Sequence, residues 1–400
     1  MSSIYLHIPF CLTKCHYCDF YSLPWEDKSL PEKAFLKGLK REISLWSSWL
    51  HQQAKSPIKT IFFGGGTPSL LSPEGVEEIL AYLKSLVPFS SEVEITLELN
   101  PKTAGLEKLR AFRQSGIHRI SMGLQSLDEQ VLKLLGRGHS GEEALQTLQA
   151  VSEAGFTNYS LDLMYGLPRQ TLKSFEATLK GIQDFDFSHL SAYELIVEKA
   201  TPFYRWYQQG QLNLPQEEIT IQMEETLQTF CESRGLRRYE ISNYAKPGEE
   251  CKHNLVYWNY ENFLGLGPGA VGFLKKDQLS EEAKSFWKLE NKDFYGLRFN
   301  KKKDWLAYAK HADEASTWDL ELISLEQARA EFFMMALRKT QGSTQSLYEK
   351  HFKEPFPQDF IKILEKYQKR GWIEKDKDRF WLNHEGLRFS QEVMGEFLVG

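Results

Sequence analysis

YLHIPFCLTKCHYCDF, residues 5–20, is the stretch whose reading decides the fold. An apolar run from Ile4 to Phe10 reads as a first strand. Cys11, Cys15 and Cys18 follow it at once, spaced C-x3-C-x2-C, with no fourth cysteine nearby. Three chemistries compete for such a trio. A structural zinc site takes four ligands, and no second CxxC pair completes one. A redox dithiol would use Cys15 and Cys18 and leave Cys11 idle. A four-iron cluster held by three thiolates leaves one iron open to a small ligand, which is what metal-based catalysis requires.

Working outward, five more strand-like runs follow: IKTIFF (58–63), EVEITLEL (92–99), HRISMGL (118–124), NYSLDLMY (158–165) and HLSAYELIV (189–197). Segments of helical period separate them, such as AFLKGLKREISLWSSWL (34–50) and GEEALQTLQAVSEAG (141–155). Strands alternating with helices predict a parallel sheet with helices outside, as six βα units. The expected class is α/β: a partial (β/α)6 barrel, with a doubly wound sheet as the competing architecture. The unusual residues cluster just past the strand ends. They are the cysteines, GGGTPS (64–69), ELNP (98–101), GLQSLDE (123–129), YGLPRQT (165–171) and VEKATPF (197–203). Active sites of parallel α/β folds sit at that face.

After residue 240 the rhythm changes. A Gly- and aromatic-rich segment containing HNLVYW (253–258) and GLGPGAVG (265–272) precedes helical patterns and a hairpin, WIEKDKDRFWLN (372–383). The predicted division is 1–240 for the barrel, 241–290 for a segment completing its pocket, and 291–400 for a mainly helical, winged-helix-like domain. G-x-G-x-x-G from Gly267 to Gly272 contains Pro268 and is not clearly between a strand and a helix, so a dinucleotide fingerprint is rejected.

The chain of 400 residues is 42% hydrophobic and 26% charged, so it can bury a sizeable core. A net charge of −5 argues against binding nucleic acid by phosphate neutralisation. Five cysteines are too few for a disulfide scaffold and favour a reducing compartment. Neither a secretory signal nor an apolar run of membrane-spanning length is visible, so a cytoplasmic location without a transmembrane segment is expected.

C-x3-C-x2-C directly after the first strand of a βα barrel resembles the radical S-adenosylmethionine superfamily. YLHIPFCLTKCHYCDF, GGGTPS, ELNP, RISMGLQS, LGRGH, DLMYGLPRQT, HNLVYW and GLGPGA together resemble one branch of it across most of the chain. That branch holds the oxygen-independent coproporphyrinogen III oxidases and their haem-chaperone relatives, the HemN-like and HemW-like proteins. The resemblance implies a [4Fe-4S] cluster on Cys11, Cys15 and Cys18, whose open iron binds S-adenosylmethionine. It implies contacts to that cofactor from Tyr5, Tyr17, Gly65, Gly66, Thr67, Glu98, Gln125, Arg137, Asp162 and Ala270. Gly66 and Thr67 also match a second S-adenosylmethionine site of the oxidases. Bare glycine backbone at GGGTP would suit an anion-binding nest, and a plain turn is the bland alternative.

His253 of HNLVYW matches a position taken as a haem ligand in the chaperone branch, since imidazole is a common axial ligand. A buried structural histidine is the competing reading. Cys251 is a second soft donor, better read as an ordinary buried thiol. Two features separate the branches. The oxidases carry a fourth cysteine two residues after the trio, where this sequence has Phe20, and a long segment before the motif, where ten residues precede Cys11. The expected function is therefore a haem chaperone, with haem as cargo. Oxidative decarboxylation of coproporphyrinogen III by a 5′-deoxyadenosyl radical is the alternative. Haem-acceptor proteins, an electron donor and a homodimer are the partners this implies.

Overall fold

Six parallel strands follow one another across a single sheet in the computed structural model, which describes residues 2–25, 30–52 and 57–398. They are β1 (Ser2–Ile8), β2 (Ile58–Gly65), β3 (Phe89–Leu99), β4 (Arg119–Gln125), β5 (Asn158–Tyr165) and β6 (His189–Glu194). Their spatial order is their sequence order. A doubly wound sheet reverses direction at a switch point, and this sheet has none among β1–β6. Short strands β7 (Arg237–Arg238), β8 (Asn243–Ala245) and β9 (Leu264–Leu266) complete it. β9 lies parallel to β1, while β8 lies antiparallel to both β6 and β7. The edges β9 and β7 remain apart, which gives the partial barrel.

Two strands stop short of their expected ends. β1 stops at Ile8 rather than at Phe10. Pro9 has no N–H for a ladder, and Phe10–Cys11 pairs instead with Leu23–Pro24, inside the cysteine loop. β6 stops at Glu194 rather than at Val197, after which the chain is irregular until the helix Pro202–Gln208.

Strand alternation determines what fills the barrel. Side chains two apart share a face. Ile4, Leu6, Ile61, Phe63, Ile95, Leu97, Ile120, Met122, Leu161 and Leu163 join the buried apolar core beneath the helices. The alternate positions are Tyr5 and His7, Thr60 and Phe62, Glu94, Thr96 and Glu98, Arg119 and Ser121, Ser160 and Asp162, and His189 and Ser191. The register places several of these side by side, as in Thr60 with Glu94, Glu98 with Ser121, Ser121 with Ser160, and Ser160 with His189. Closed eight-stranded barrels fill their interior with branched apolar residues. This one fills it with polar groups, which must be satisfied by one another or by a ligand.

Past β9, an antiparallel sheet of Val271–Lys275, Gly296–Lys301 and Trp318–Ile323 leads to the C-terminal unit. The barrel core continues into it through Trp46, Trp287, Phe299 and Trp318. A second core, built on Phe332, Phe333, Tyr348, Phe380 and Phe397, takes over. The boundary expected at 290–291 therefore falls between two paired strands of this sheet, and the cores divide near Trp318–Ile323. Helices Leu325–Ala336, Gln345–Phe352 and Gln358–Lys369 with the hairpin Ile373–Asp376 and Arg379–Leu382 give the winged-helix-like order.

Candidate functional site

The cysteine loop is fastened over the mouth of the barrel. His16 donates its backbone N–H to Leu135 O at 2.9 Å, and its Nδ1 bonds Leu134 O at 2.8 Å. Phe203, beyond β6, donates its N–H to His16 O at 3.0 Å. The loop thus rests on the chain after β4 and after β6. Cys11 is buried, Cys15 and Cys18 are partly exposed, and all three are free thiols. Thr67 donates its hydroxyl to Cys11 Sγ at 3.4 Å, and Arg137 Nη1 donates to Cys15 Sγ at 3.6 Å. Such donors favour thiolate and stabilise a bound metal. Burial pushes the Cys18 thiol up to about 11, so loading a metal here releases protons. Among the described residues no three His, Cys, Asp or Glu side chains converge on a single-ion site. A four-iron cluster gives each thiolate its own iron and needs no such convergence.

Asn100, in ELNP, ties the loop partners together. Its Nδ2 donates to Thr67 Oγ1 at 2.9 Å, and its Oδ1 accepts from Arg137 Nη2 at 2.6 Å. Arg137 Nη2 also donates to Gly123 O at 2.6 Å, and the guanidinium hydrogen-bonds Tyr17. Sequence reasoning missed Asn100, although its place directly after β3 was a signal.

The lumen mouth brings Glu98 and Asp162 together. Burial, with the Asp162 charge adding, pushes the Glu98 carboxyl up to about 8. Asp162 is also raised by burial, against hydrogen bonds from Ser191, Ser121 and Ser160. Two carboxyls raised in this way resist ionising together, and a bound cation would relieve that resistance. Gln125 lies at the end of β4 with φ 65°, a left-handed conformation that turns the chain out of the strand. The GGG turn is not a nest of open N–H groups. Gly65 N–H donates to Glu98 Oε2 at 3.1 Å and Gly66 N–H to Ile8 O at 2.8 Å. Gly65 has φ +111°, and a Cβ there would sit 2.6 Å from the His7 ring. The glycines let β2 close on β1. Ala270 is fully buried, with its N–H bonded to Gly267 O and its C=O to Lys301 N–H.

HNLVYW forms the helix Lys252–Trp258. Glu94 holds its start, accepting the N–H groups of Lys252 and His253 at 3.2 Å each and the Cys251 thiol at 3.7 Å. Cys251 is accordingly an ordinary buried thiol, pushed up to about 12 by burial. His253 is 1% exposed. Its Nδ1 bonds Thr60 Oγ1 at 2.7 Å, its Nε2 bonds the Tyr257 hydroxyl at 2.8 Å, and its ring stacks on Phe62 at 5.1 Å. Burial, with Arg119 adding, lowers its pKa to about 3, so it is neutral. Both ring nitrogens being engaged, iron ligation by His253 as expected from the sequence requires it to surrender a partner. Sequence reasoning missed Glu94 and Thr60; both stand on the polar face of their strands.

Tyr257 and Trp258 are half-buried and line a cleft of about 480 Å³. Tyr5 and His7 of β1 form its floor, Phe20 and Tyr21 of the cysteine loop one wall, and Phe263 and Phe273 another. Arg298, Lys303, Glu331 and Met335 lie on the side of the C-terminal unit. Phe20 is 68% exposed at this cleft. The volume lies within the range of small-molecule sites, and an aromatic lining suits a flat apolar ligand.

Residues 5–182 match the Radical SAM superfamily, and residues 323–389 match the HemN C-terminal domain. "Heme chaperone HemW" of Bacillus subtilis (strain 168) is 33% identical over 100% of this chain and 99% of its own length. The protein of the same name from Escherichia coli (strain K12) is 36% identical over 68% of this chain and 69% of its own length. "Radical S-adenosyl methionine domain-containing protein 1, mitochondrial" of Bos taurus is 36% identical over 68% of this chain and 60% of its own length. Among solved structures, coproporphyrinogen III oxidase (HemN) from Escherichia coli superposes with a TM-score of 0.78 at 22% identity. That match covers 99% of this chain and 89% of the oxidase, and at this identity it speaks for the fold alone.

Proposed function

The chain belongs to the radical S-adenosylmethionine superfamily and, within it, to the haem chaperone HemW family, and from that premise we propose that it binds haem and passes it to acceptor proteins. The observation that carries the reading is the aromatic cleft beside the cysteine loop, walled by Tyr257 and Trp258 of HNLVYW and by Phe20. Porphyrin faces are flat and apolar, and such surfaces bury well against aromatic rings. Lys303 at the cleft is a cation suited to a porphyrin carboxylate.

Cys11, Cys15 and Cys18 would hold a [4Fe-4S] cluster, with Thr67 and Arg137 donating to two of the sulfurs. Such a cluster supplies an iron with an open position and an electron for S-adenosylmethionine. Glu98 and Asp162 would attract the cationic end of that cofactor, and Tyr5, Tyr17, Gln125 and Arg137 surround the same mouth. Gly65 at the end of β2, with Gly66 and Thr67 just past it, would shape that mouth, and Ala270 would contribute buried backbone. An electron donor serves the cluster in this reading. A homodimer is compatible with it. No helix among the described residues is long and apolar enough to cross a membrane.

The test is a paired measurement on one anaerobically reconstituted sample: haem titration, and coproporphyrinogen turnover with S-adenosylmethionine and a reductant. Stoichiometric haem binding without turnover is expected. Sustained protoporphyrinogen formation would overturn the chaperone reading.

A further inference from the structure

We propose that Tyr257, through its phenolate oxygen, is the side chain that meets the iron of bound ferric haem, and that His253 is the positioning residue behind it. The inference rests on the haem-binding reading above and assigns roles within it.

His253 and Tyr257 are four residues apart on one helix, so their side chains lie on one face. The imidazole points inward and the phenol lines the cleft. His253 is fixed by Thr60 on one nitrogen, by Tyr257 on the other and by Phe62 across its face. Glu94 pins the helix start, so the ring cannot swing into the cleft without stripping several buried partners at once.

Hydrogen-bond partners and their directions together set Tyr257 apart among the cleft phenols. His7 Nε2 bonds Tyr21 O at 2.7 Å and must donate, so its Nδ1 accepts, and Tyr5 must donate to it at 3.0 Å. Tyr260 donates to a Glu331 carboxylate oxygen at 2.9 Å. Either phenol would lose its partner on losing its proton. The Tyr21 oxygen accepts from Trp305 N–H at 2.9 Å, a backbone amide that has no lone pair to receive the phenol proton. For Tyr257 the case differs. Thr60 can donate to Nδ1, which leaves the proton on Nε2 and makes His253 a donor to the Tyr257 oxygen. That oxygen keeps its hydrogen bond as a phenolate.

On binding, the phenolic O–H bond breaks and an Fe(III)–O bond forms. One proton leaves to solvent through the cleft, and the iron keeps its oxidation state. Phenolate is a known haem ligand type. Because it is anionic, ferric haem is held more tightly than ferrous.

Resonance Raman and visible spectra of the full-length protein with ferric haem test this, with Tyr257→Phe and His253→Gln alongside. The wild type is expected to show iron–phenolate vibrations and a phenolate-to-iron charge-transfer band. Tyr257→Phe is expected to lose both, while retaining wild-type circular dichroism. His253→Gln is expected to keep the phenolate vibrations at shifted frequency and to weaken affinity by about 10–100-fold, the usual effect of losing an outer partner. A nitrogen-ligated wild-type spectrum that His253→Gln abolishes and Tyr257→Phe preserves overturns this assignment while leaving haem binding intact. Absence of stoichiometric haem binding by the wild type overturns both readings.

Discussion

Glu94 accepts the backbone N–H of His253 at 3.2 Å, joining a strand of the barrel lumen to a helix 159 residues further along the chain. The same carboxylate takes Lys252 N–H. It acts as an external cap for a helix whose N-cap residue, Cys251, provides no side-chain cap. The HNLVYW helix is therefore positioned by the barrel.

Removing that cap has a defined cost. Glu94→Ala leaves two helix N–H groups without their acceptor, at roughly 1–3 kcal/mol for a buried donor left unsatisfied. Glu94→Gln keeps one acceptor oxygen and is expected to lose less. Chemical denaturation of the three proteins gives the comparison. An Ala variant as stable as wild type would show that the helix is held by other contacts.

The cluster assignment is tested by which cysteines matter. Replacing Cys11, Cys15 and Cys18 by Ala is expected to abolish iron–sulfur absorption after anaerobic reconstitution. Replacing Cys231 and Cys251, both buried and far along the chain, is expected to leave the iron content per chain unchanged. Arg137→Ala removes the donor to Cys15 Sγ and is expected to lower cluster affinity by about 10–100-fold. Iron and sulfide analysis reads all three.

Phe20, the residue on which the sequence reading chose between the two branches, is 68% exposed at the cleft. An exposed side chain contributes little to folding, so Phe20→Ser is expected to change stability by no more than about 0.5 kcal/mol. Covering the ring with a flat apolar ligand is worth about 1.5–3 kcal/mol. Haem affinity is therefore expected to drop by about 10-fold or more, a factor that follows from about 1.4 kcal/mol per decade. Equal haem affinity in the two proteins would place the ligand elsewhere.

The barrel was legible because its signal is local. Each strand carries its own alternation, and each loop of unusual residues follows a strand end. EVEITLEL shows Glu94, Thr96 and Glu98 on one face, which reads directly as a polar lumen once the strand is accepted. Pro9 was a visible stop signal that shortened β1. The role of His253 was not legible. Its partner Thr60 lies 193 residues away, and no local pattern in HNLVYW says which ring nitrogen is free. The glycines of GGGTP misled for a similar reason. Their N–H groups look open in sequence, but Glu98 and Ile8, brought in by strand pairing, occupy them.

Glu98 gives the protein a pH dependence whose sign can be worked out. Burial first, and Asp162 second, raise its carboxyl in the folded protein to about 8 from the 4.5 of an unperturbed glutamate. Between these values the folded chain holds a proton that the unfolded chain has released. Stability of the ligand-free protein therefore falls as pH rises through this window, with a slope of up to about 1.4 kcal/mol per pH unit. The contribution is fully present below the lower value and lost above the upper one. Glu98→Gln carries no titrating group and is expected to flatten the slope. A cationic ligand at the lumen mouth favours ionised Glu98, so S-adenosylmethionine affinity of the reconstituted protein is expected to rise with pH across the same window. Urea unfolding of the wild type and Glu98→Gln at several pH values between about 5 and about 8 measures the first effect. Calorimetric titration measures the second. Parallel pH profiles for the two proteins in both experiments would remove Glu98 from the cation site.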